Sequence, residues 1–486
     1  MHSILSLVFG AVFDGSVAIW VVVVGDLLAV ATVPSVLLSR SGRPLAALSW
    51  LLALLALPYV GVLAWWLLGR MHLARPRRRR REASSRLCRR CEPVEGVDGQ
   101  NAALAEVVPF AGPDARWTEG VFPPVGVAEP TLLGTGADAF VALRQAIAEA
   151  RCEIRLLFYI WEDDALGGEI GDALAQRAEA GVRVRVLVDA MGSSRFLRRR
   201  ARSLRRAGVK VAGFLPARFR PWAPTFNFRN HRKLLVADGA VAITGGMNIG
   251  TVYADNWREL ACRLAGPVVR NLDSVFQEDW YFATGDDIGP CMAEPGRMEA
   301  QRRPPADVCC VIASGPDRAA SRVADAVFLA LLRARRRIWL ATPYFVPDAA
   351  TMAGLRGAAQ RGVDVRLILP RHNDVPLVRW ASRSYYEELL QAGVRIFEYL
   401  PAVSHAKALI VDDDLALLGS PNVDVRSYRL NFELAAFFAS RRLNRQLEAA
   451  MRDDLSASAE ISARTASHPV SKRLLESAAH LLSPLL

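Results

Sequence analysis

Lysine is scarce in this sequence, and net charge is scarce outside one short stretch. Only four of the 61 basic residues are lysines: Lys210, Lys233, Lys407 and Lys472. The stretch from 70 to 90 contains ten arginines and one glutamate, a net +9 of the chain's total of +12. Proteins that bind nucleic-acid backbones usually carry basic charge across a domain surface. The charge distribution of this chain therefore argues against a nucleic-acid-binding protein.

Two further absences narrow the kinds of site the chain can hold. It has no GxxxxGK[ST] loop, which argues against a P-loop nucleotide site. Its seven cysteines show no disulfide pattern, and the lone C-x-x-C of Cys88 and Cys91 lacks the second pair or nearby histidine of a zinc site. With 486 residues, 52% of them hydrophobic, the chain is typical of two or three folded domains.

Long apolar runs are present near the start of the chain. Residues 17–38 and 45–68 are each long enough to cross a bilayer as a helix, which takes about 20 residues. The link between them carries Arg40 and Arg43, whereas ten arginines follow the second run. The positive-inside rule therefore predicts a two-helix anchor with the rest of the chain in the cytoplasm. Asp26 is costly in lipid, and the sequence assigns it no role.

Beyond this anchor the chain repeats itself. A helical pattern running into IRLLFYIW (154–161) is matched by one running into IWLATPYFV (338–346), and two further helix–strand units follow each. Apolar, β-branched strands alternating with helices predict an α/β fold whose sheet is covered by helices. Two such units predict pseudo-twofold symmetry with an active site at the seam. The expected divisions are an anchor with two transmembrane helices (1–70), a basic juxtamembrane segment and linker (71–130), and two tandem domains (131–300 and 301–486).

Each copy of the repeat carries the same polar residues at the same spacing. A histidine is followed after two residues by lysine, after seven by aspartate, after 17 by asparagine and after 28 by glutamate. The first copy holds His231, Lys233, Asp238, Asn248 and Glu259, and the second holds His405, Lys407, Asp412, Asn422 and Glu433. Because two of only four lysines occupy this position, chance does not explain the match.

This set suits chemistry on an anionic phosphodiester. Alternation along a strand places the histidine and lysine of each motif on one face. One neutral imidazole can attack phosphorus, and the other can give and take a proton. The lysines and asparagines can hold the phosphoryl oxygens, and the glutamates can orient the imidazoles, with no metal needed. Asp238 and Asp412 complete the candidate catalytic set of each motif. Because they end their strands, we expect them to brace loops and lysines rather than touch the substrate.

The paired H-x-K-x4-D motifs resemble those of the phospholipase D superfamily. The apolar N-terminal region, NHRK at 230–233, GGMNIG at 245–250 and ATPYFVPD at 341–348 resemble bacterial cardiolipin synthases in particular, over nearly the whole chain. The resemblance implies two tandem phospholipase D-like domains, each a mixed sheet flanked by helices. One departure from the family pattern is Glu259, where an aspartate would be expected.

The resemblance also implies an activity and its setting. Such enzymes join two phosphatidylglycerol molecules into cardiolipin and glycerol, through a phosphatidyl-histidine and without metal or other cofactor. His231 would be the nucleophile and His405 the acid/base, with the reverse assignment left open. The partners implied are phosphatidylglycerol, other anionic phospholipids and the membrane, with no nucleic acid. The location implied is the bacterial inner membrane, as a multi-pass protein with cytoplasmic catalytic domains.

Several alternatives remain open at this level. A hydrolase, or a transferase with another acceptor alcohol, would use the same residues. A nuclease of the same superfamily or a non-enzymatic scaffold would fit less of the sequence. The segment 218–229, rich in aromatic residues and arginine, suits either a lipid interface or a packed lid. The amphipathic C-terminal stretch is expected to pack on its own domain.

Overall fold

The computed structural model describes residues 15–40, 44–69, 82, 102–108, 120–215, 227–291, 307–318, 321–462 and 470–481. The chain forms two compact units, one from residues 1–74 with 217–227 and a larger body from the rest. The arginine-rich stretch apart from Glu82, the C-x-x-C pair and most of the aromatic segment lie outside the described residues.

The small unit is helical. Its helices are α1 (Gly15–Ser39), α2 (Pro44–Ala56) and α3 (Pro58–Ala64), the last continued by a π-helical turn (Trp65–Gly69). Among the described residues only α1 is long and apolar enough to cross a membrane, over Ile19–Ser39. The prediction of a second spanning helix over 45–68 is wrong as a single helix. Leu57 leaves helical geometry, and Pro58 lacks the N–H needed to continue α2.

The body contains 20 described strands. Those of the first copy are β1 (Val125–Leu133), β2 (Glu153–Phe158), β3 (Arg183–Asp189), β4 (Lys210–Phe214), β5 (Arg229–Asn230), β6 (Leu234–Ala237), β7 (Val241–Gly245), β8 (Trp257–Arg258) and β9 (Ala261–Ala265). Those of the second are β10 (Asp307–Ser314), β11 (Arg337–Ala341), β12 (Phe345–Val346), β13 (Asp364–Pro370), β14 (Arg395–Tyr399), β15 (Val403–Ser404), β16 (Ala408–Val411), β17 (Leu415–Gly419), β18 (Val423–Asp424), β19 (Asn431–Ala439) and β20 (Ser458–Ile461).

Helices connect and cover these strands. They are α4 (Ala102–Val107), α5 (Gly136–Glu149), α6 (Ala165–Glu179), α7 (Ser194–Arg199), α8 (Ala201–Arg206), α9 (Thr251–Asp255), α10 (Val268–Thr284), α11 (Arg322–Arg333), α12 (Ala349–Gln360), α13 (Pro376–Arg383), α14 (Tyr386–Gln391), α15 (Val425–Arg429), α16 (Arg441–Ser456) and α17 (Val470–Leu481). Polar caps set several starts, since the side chains of Thr135, Asp164, Ser321, Asp348 and Ser440 accept hydrogen bonds from first-turn amides.

One mixed sheet of 16 strands runs through the body and shows the predicted repeat. From one edge the order is β4-β3-β2-β6-β7-β9-β1, and it continues as β10-β19-β17-β16-β11-β13-β14-β20, with β5 pairing to β19. The two runs mirror each other about the antiparallel β1–β10 pair, where Val125 faces Cys309. The outer strands β2–β3–β4 and β11–β13–β14 are parallel, and the central ones are antiparallel. The predicted tandem, pseudo-twofold α/β fold is confirmed.

One buried hydrophobic cluster contains residues of both copies. Leu272 and Phe276 of α10 lie in the same buried cluster as Phe432 and Phe438 of β19, so removal of either copy would expose the other. The C-terminal helix α17 packs on α13 through Ala479, as the sequence predicted. The fold therefore binds both halves into a single body, with their histidine motifs near its centre.

Candidate active site

Two short strands place the histidines where the copies meet. Strand β5 of the first copy pairs with the start of β19 in the second, and the His231 amide donates to the Phe432 carbonyl at 2.9 Å. In the reciprocal arrangement β15 pairs with β8, and the His405 amide donates to the Arg258 carbonyl at 2.9 Å. Each histidine thus begins its motif while bonded to the backbone of the opposite copy.

The glutamates are exchanged between the copies in the same way. His231 Nδ1 lies 3.0 Å from Glu433 Oε1, and His405 Nδ1 lies 2.6 Å from Glu259 Oε1. A carboxylate can only accept, so Nδ1 carries the hydrogen in each ring and leaves Nε2 with a lone pair. The extra methylene of Glu259, relative to the aspartate expected in the family, does not prevent this contact.

Neighbouring side chains hold the two glutamates differently. Ser420 Oγ and Asn431 Nδ2 both donate to the Glu433 carboxylate. Glu259 Oε2, by contrast, is buried without a hydrogen-bond partner. Gly246 is packed against this carboxylate, because a Cβ built on the glycine would lie 3.0 Å from Glu259 Oε2 and 3.4 Å from Lys407 Nζ. Gly246 therefore leaves room for the cluster.

Both motif lysines are buried beside their own histidines. Lys233 Nζ donates to the His231 carbonyl at 2.6 Å, and Lys407 Nζ donates to the His405 carbonyl at 2.7 Å. Lys407 Nζ also lies 3.1 Å from Nδ1 and 3.2 Å from Nε2 of His405. Among the described residues, the structure gives His231 Nε2 no hydrogen-bond partner. The two imidazoles are therefore not equivalent.

Burial sets the protonation of the cluster. It lowers the pKa of His231 to about 4, against the opposing charge of Glu433. It also lowers the pKa of His405, against Glu259, so both rings favour the neutral form. The charge of Lys407 contributes to the lowered pKa of His231, and that of Lys233 to the lowered pKa of His405. The lysine of each motif therefore influences the histidine of the other motif, and the two histidines and two lysines form one site.

The lysines supply buried positive charge that suits an anion. Burial lowers the pKa of Lys407 to about 8, and burial together with the charge of Lys407 holds the pKa of Lys233 well below its usual range. The ammonium of Lys407 thus disfavours the charged form of Lys233. A bound phosphodiester would relieve that repulsion and favour the charged form of both lysines.

The asparagines lie beside the cluster but are held differently. Asn248 is buried, and its Oδ1 accepts from the Ile160 amide at 3.2 Å. Asn422 Nδ2 donates to Asp424 Oδ2 at 3.2 Å, while its Oδ1 is buried without a partner. Burial raises the pKa of Asp424 to about 6. The second copy thus keeps an unsatisfied amide oxygen in a cavity that Lys407 also lines.

Asp238 and Asp412 lie at the far ends of the strands from the histidines. Asp238 accepts from the backbone amides of Arg151, Cys152 and Glu153 at 2.7–2.8 Å. The Asp412 carboxylate similarly accepts from the amides of residues 335–337. Seven residues of extended chain separate each aspartate from its histidine, or about 23 Å. Each carboxylate therefore braces a loop at the end of its strand that lies away from the histidines.

Sequence reasoning missed the aromatic rings beside the imidazoles. Tyr159 packs edge-on to His231 with ring centroids 5.0 Å apart, and Trp257 lies 4.8 Å from His405. Tyr253 lies near His405 at 6.5 Å. The sequence did hold a signal for Trp257. It stands two residues before Glu259, and because side chains alternate along a strand, both lie on the same face.

The histidines, lysines, asparagines and glutamates of both motifs thus converge on one site, and the two aspartates do not. In the described residues no group of three or more His, Cys, Asp or Glu side chains is arranged to hold a metal ion.

Comparisons with known proteins agree on one family. The family model described as "Cardiolipin synthase, PLD-like domain" matches residues 143–280 and 328–455, one segment in each copy. A cardiolipin synthase of Geobacillus kaustophilus is 34% identical over 97% of this chain and 99% of its own length. Cardiolipin synthase 2 of Bacillus anthracis is 38% identical over 74% of this chain and 71% of its own.

A solved structure supports the fold independently. Phosphatidylserine synthase of Haemophilus influenzae aligns with a TM-score of 0.60, covering 75% of this chain and 97% of that one at 16% sequence identity. At this identity the likeness concerns the fold alone.

Proposed function

The chain belongs to the cardiolipin synthase family of phospholipase D-like proteins, and we propose that it transfers a phosphatidyl group from one phosphatidylglycerol to another, giving cardiolipin and glycerol. Family membership makes it a phosphatidyltransferase acting on phospholipids. The observation that carries the mechanism is the exchange of orienting glutamates, which joins both motifs into a single two-histidine site.

The first half-reaction forms a covalent intermediate. His231 Nε2 attacks phosphorus of the first phosphatidylglycerol, since its hydrogen is on Nδ1 against Glu433 and its low pKa keeps the ring neutral. The P–N bond forms, the bond from phosphorus to the glycerol oxygen breaks, and that oxygen takes a proton from His405. The buried lysines and asparagines stabilise the charge that develops on the phosphoryl oxygens. The products of this step are phosphatidyl-His231 and glycerol.

His405 must be protonated for that step, and the substrate supplies the reason. Burial lowers the pKa of His405, with Glu259 opposing the effect. A bound phosphodiester adds a second negative charge beside the ring and favours the imidazolium. The same charge draws the Lys407 ammonium from His405 to the phosphate. Binding of an anionic lipid thus prepares the general acid.

The second half-reaction reverses these roles. The glycerol hydroxyl of a second phosphatidylglycerol gives its proton to His405, which is now neutral, and its oxygen attacks phosphorus. The P–N bond breaks, releasing cardiolipin and neutral His231. Phosphodiester is exchanged for phosphodiester, so no nucleotide is consumed. Water in place of the second lipid would give phosphatidic acid, which is the hydrolase alternative.

The proposed setting is the cytoplasmic face of a bacterial inner membrane. The arginine-rich stretch that follows the apolar N-terminal region favours the cytoplasmic side for the body and attracts anionic head groups. Phosphatidylglycerol is itself anionic and would gather there. We propose that the predicted domains 131–300 and 301–486 act as one unit, because their shared hydrophobic cluster and exchanged glutamates leave neither half with a complete site.

Product analysis tests this proposal. Purified full-length protein would be mixed with phosphatidylglycerol vesicles in the presence of EDTA, beside His405→Ala and the exposed control His372→Ala. We expect cardiolipin and glycerol in equal amounts from the wild type and from His372→Ala, and none from His405→Ala. Phosphatidic acid as the main product would establish a hydrolase instead, and loss of activity only with EDTA would establish a metal requirement.

A further inference from the structure

The apolar run that the sequence predicted as a second membrane span folds back on itself. The rings of Trp50 and Trp65 pack edge-on with centroids 5.3 Å apart. Fifteen residues along a straight helix would separate them by about 22 Å. Gly61 lies against the backbone of Ala53, where a Cβ on the glycine would come within 2.7 Å of the Ala53 carbonyl oxygen. Helices α2 and α3 therefore form an antiparallel hairpin that turns at Leu57–Pro58.

Both ends of this hairpin lie at the same end of α1. The Arg40 guanidinium, just after α1, donates to the Gly69 carbonyl at 2.9 Å. One turn of α1 earlier, the Trp65 indole donates to Ser35 Oγ at 3.1 Å. The hairpin tip lies well back along α1, where the Tyr59 hydroxyl donates to the Val21 carbonyl. The chain thus leaves the small unit beside the point where α1 ended.

Neither arm of the hairpin is long enough to cross a bilayer. The 13 residues of α2 extend about 20 Å, and the 12 residues from Pro58 to Gly69 extend about 18 Å. The hydrocarbon core of a membrane is about 30 Å thick. The outer faces of both arms are nevertheless apolar and exposed, as Leu48, Leu52, Leu55 and Leu63 show. These faces suit the acyl chains of one leaflet.

The distribution of charge agrees with this geometry. Residues 1–39 contain no lysine or arginine, whereas Arg40, Arg43 and the ten arginines between 70 and 90 follow α1. A two-span arrangement would place Arg40 and Arg43 on the opposite side of the membrane from the ten. A hairpin that enters and leaves on one side puts all twelve together, as the positive-inside rule favours. Asp26 is exposed on α1 and does not distinguish the two arrangements.

We propose that the anchor crosses the membrane once, through α1, and that α2 and α3 form a re-entrant hairpin in the leaflet on the side of the body. Residues 1–14 and the body then lie on opposite sides of the membrane, whereas two spans would place them on the same side. The proposal concerns the anchor alone and does not depend on the catalytic chemistry.

Tag accessibility tests the number of crossings. Full-length protein would carry one epitope ahead of residue 1 and another after residue 486, in sealed right-side-out and inverted membrane vesicles treated with protease. We expect the two tags to be digested in opposite vesicle preparations. Digestion of both tags in the same preparation would overturn the proposal. The inactive variant His405→Ala should give the same pattern as the wild type.

A cross-link tests the hairpin independently. Cysteines at positions 50 and 65 should be joined in membranes by a short bifunctional thiol reagent, and mass spectrometry should identify the linked peptides. Cysteines at positions 48 and 63 have the same spacing, but both leucines there are more than half exposed on the lipid-facing surface. We expect linkage of the first pair at least tenfold above the second. Equal linkage of both pairs, or none at 50 and 65, would contradict the hairpin.

Discussion

His231 Nδ1 lies 3.0 Å from Oε1 of Glu433, a residue 202 positions later in the chain. The reciprocal contact joins His405 to Glu259 at 2.6 Å. Each copy of the repeat therefore orients the imidazole of the other. The duplication supplies both halves of one site, which explains why the motif occurs twice at the same spacing.

The orienting role of Glu433 predicts a selective loss of rate. In Glu433→Gln the His231 ring loses the carboxylate that fixes its Nδ1 hydrogen, so we expect kcat to fall about 10²–10⁴-fold with little change in KM. Glu433→Asp should recover part of the rate. The control is Glu448→Gln, because Glu448 pairs with Arg337 and Arg452 away from the site. Equal losses in both glutamine variants, or a lowered Tm that accounts for the loss, would refute orientation.

The lysines predict how activity depends on pH. The pKa of Lys407 is lowered to about 8, so its ammonium is present below that pH and is lost as the pH rises through it. We expect kcat/KM to fall on the alkaline side above about pH 8, by up to tenfold per pH unit. Lys407→Arg, which stays charged, should lower the rate but remove that decline. An unchanged alkaline limb in Lys407→Arg would assign the decline to another group.

Replacing Asp238 should lower the stability of the protein rather than its catalytic rate. Its carboxylate satisfies three buried or partly buried backbone amides at a residue with φ of +50°. Asp238→Ala leaves those donors unpaired and should lower the free energy of unfolding by about 2–4 kcal/mol. Thermal melts would measure the change, and activity per folded molecule should fall less than tenfold. A stable variant with abolished turnover would show that Asp238 takes part in catalysis.

Replacing Arg232 should destabilise the contact between the two copies and so lower the free energy of unfolding. It is fully buried, bonds Asp279 at 2.6 Å and donates to the Ser314 carbonyl at 2.8 Å and the Glu433 carbonyl at 3.1 Å. Arg232→Leu would leave Asp279 charged and underpaired, which costs about 3–5 kcal/mol. Denaturant unfolding should show that loss, while the exposed control Arg441→Leu should not. A small effect in Arg232→Leu would mean that water or other groups replace the guanidinium.

The repeat made much of the body predictable. Identical spacing of His231 and His405 with their lysines, asparagines and glutamates identified the polar set, because half of the chain's lysines fell in it. Apolar, β-branched strands alternating with helices identified the fold class. Spacing within a copy could not show that the glutamates are exchanged, since that depends on pairing between strands far apart in sequence.

The anchor was less predictable for a physical reason. Hydropathy averages over a window and counts 45–68 as one long apolar run. Pro58 was the available signal, because proline ends a helix more often than it bends one when the preceding residue is extended. The aromatic neighbours Tyr159 and Trp257 were missed because an aromatic residue beside a strand is usually core.

The central claim is a covalent phosphatidyl-histidine at a site built from both copies. The most direct measurement is rapid mixing of wild-type protein with phosphatidylglycerol, an alkaline quench that preserves phosphohistidine, and mass spectrometry of the peptides. We expect a phosphatidyl adduct on His231 that forms before cardiolipin appears and is absent from His231→Ala. An adduct on His405 would reverse the two roles. Cardiolipin formed with no adduct on either histidine would contradict the account.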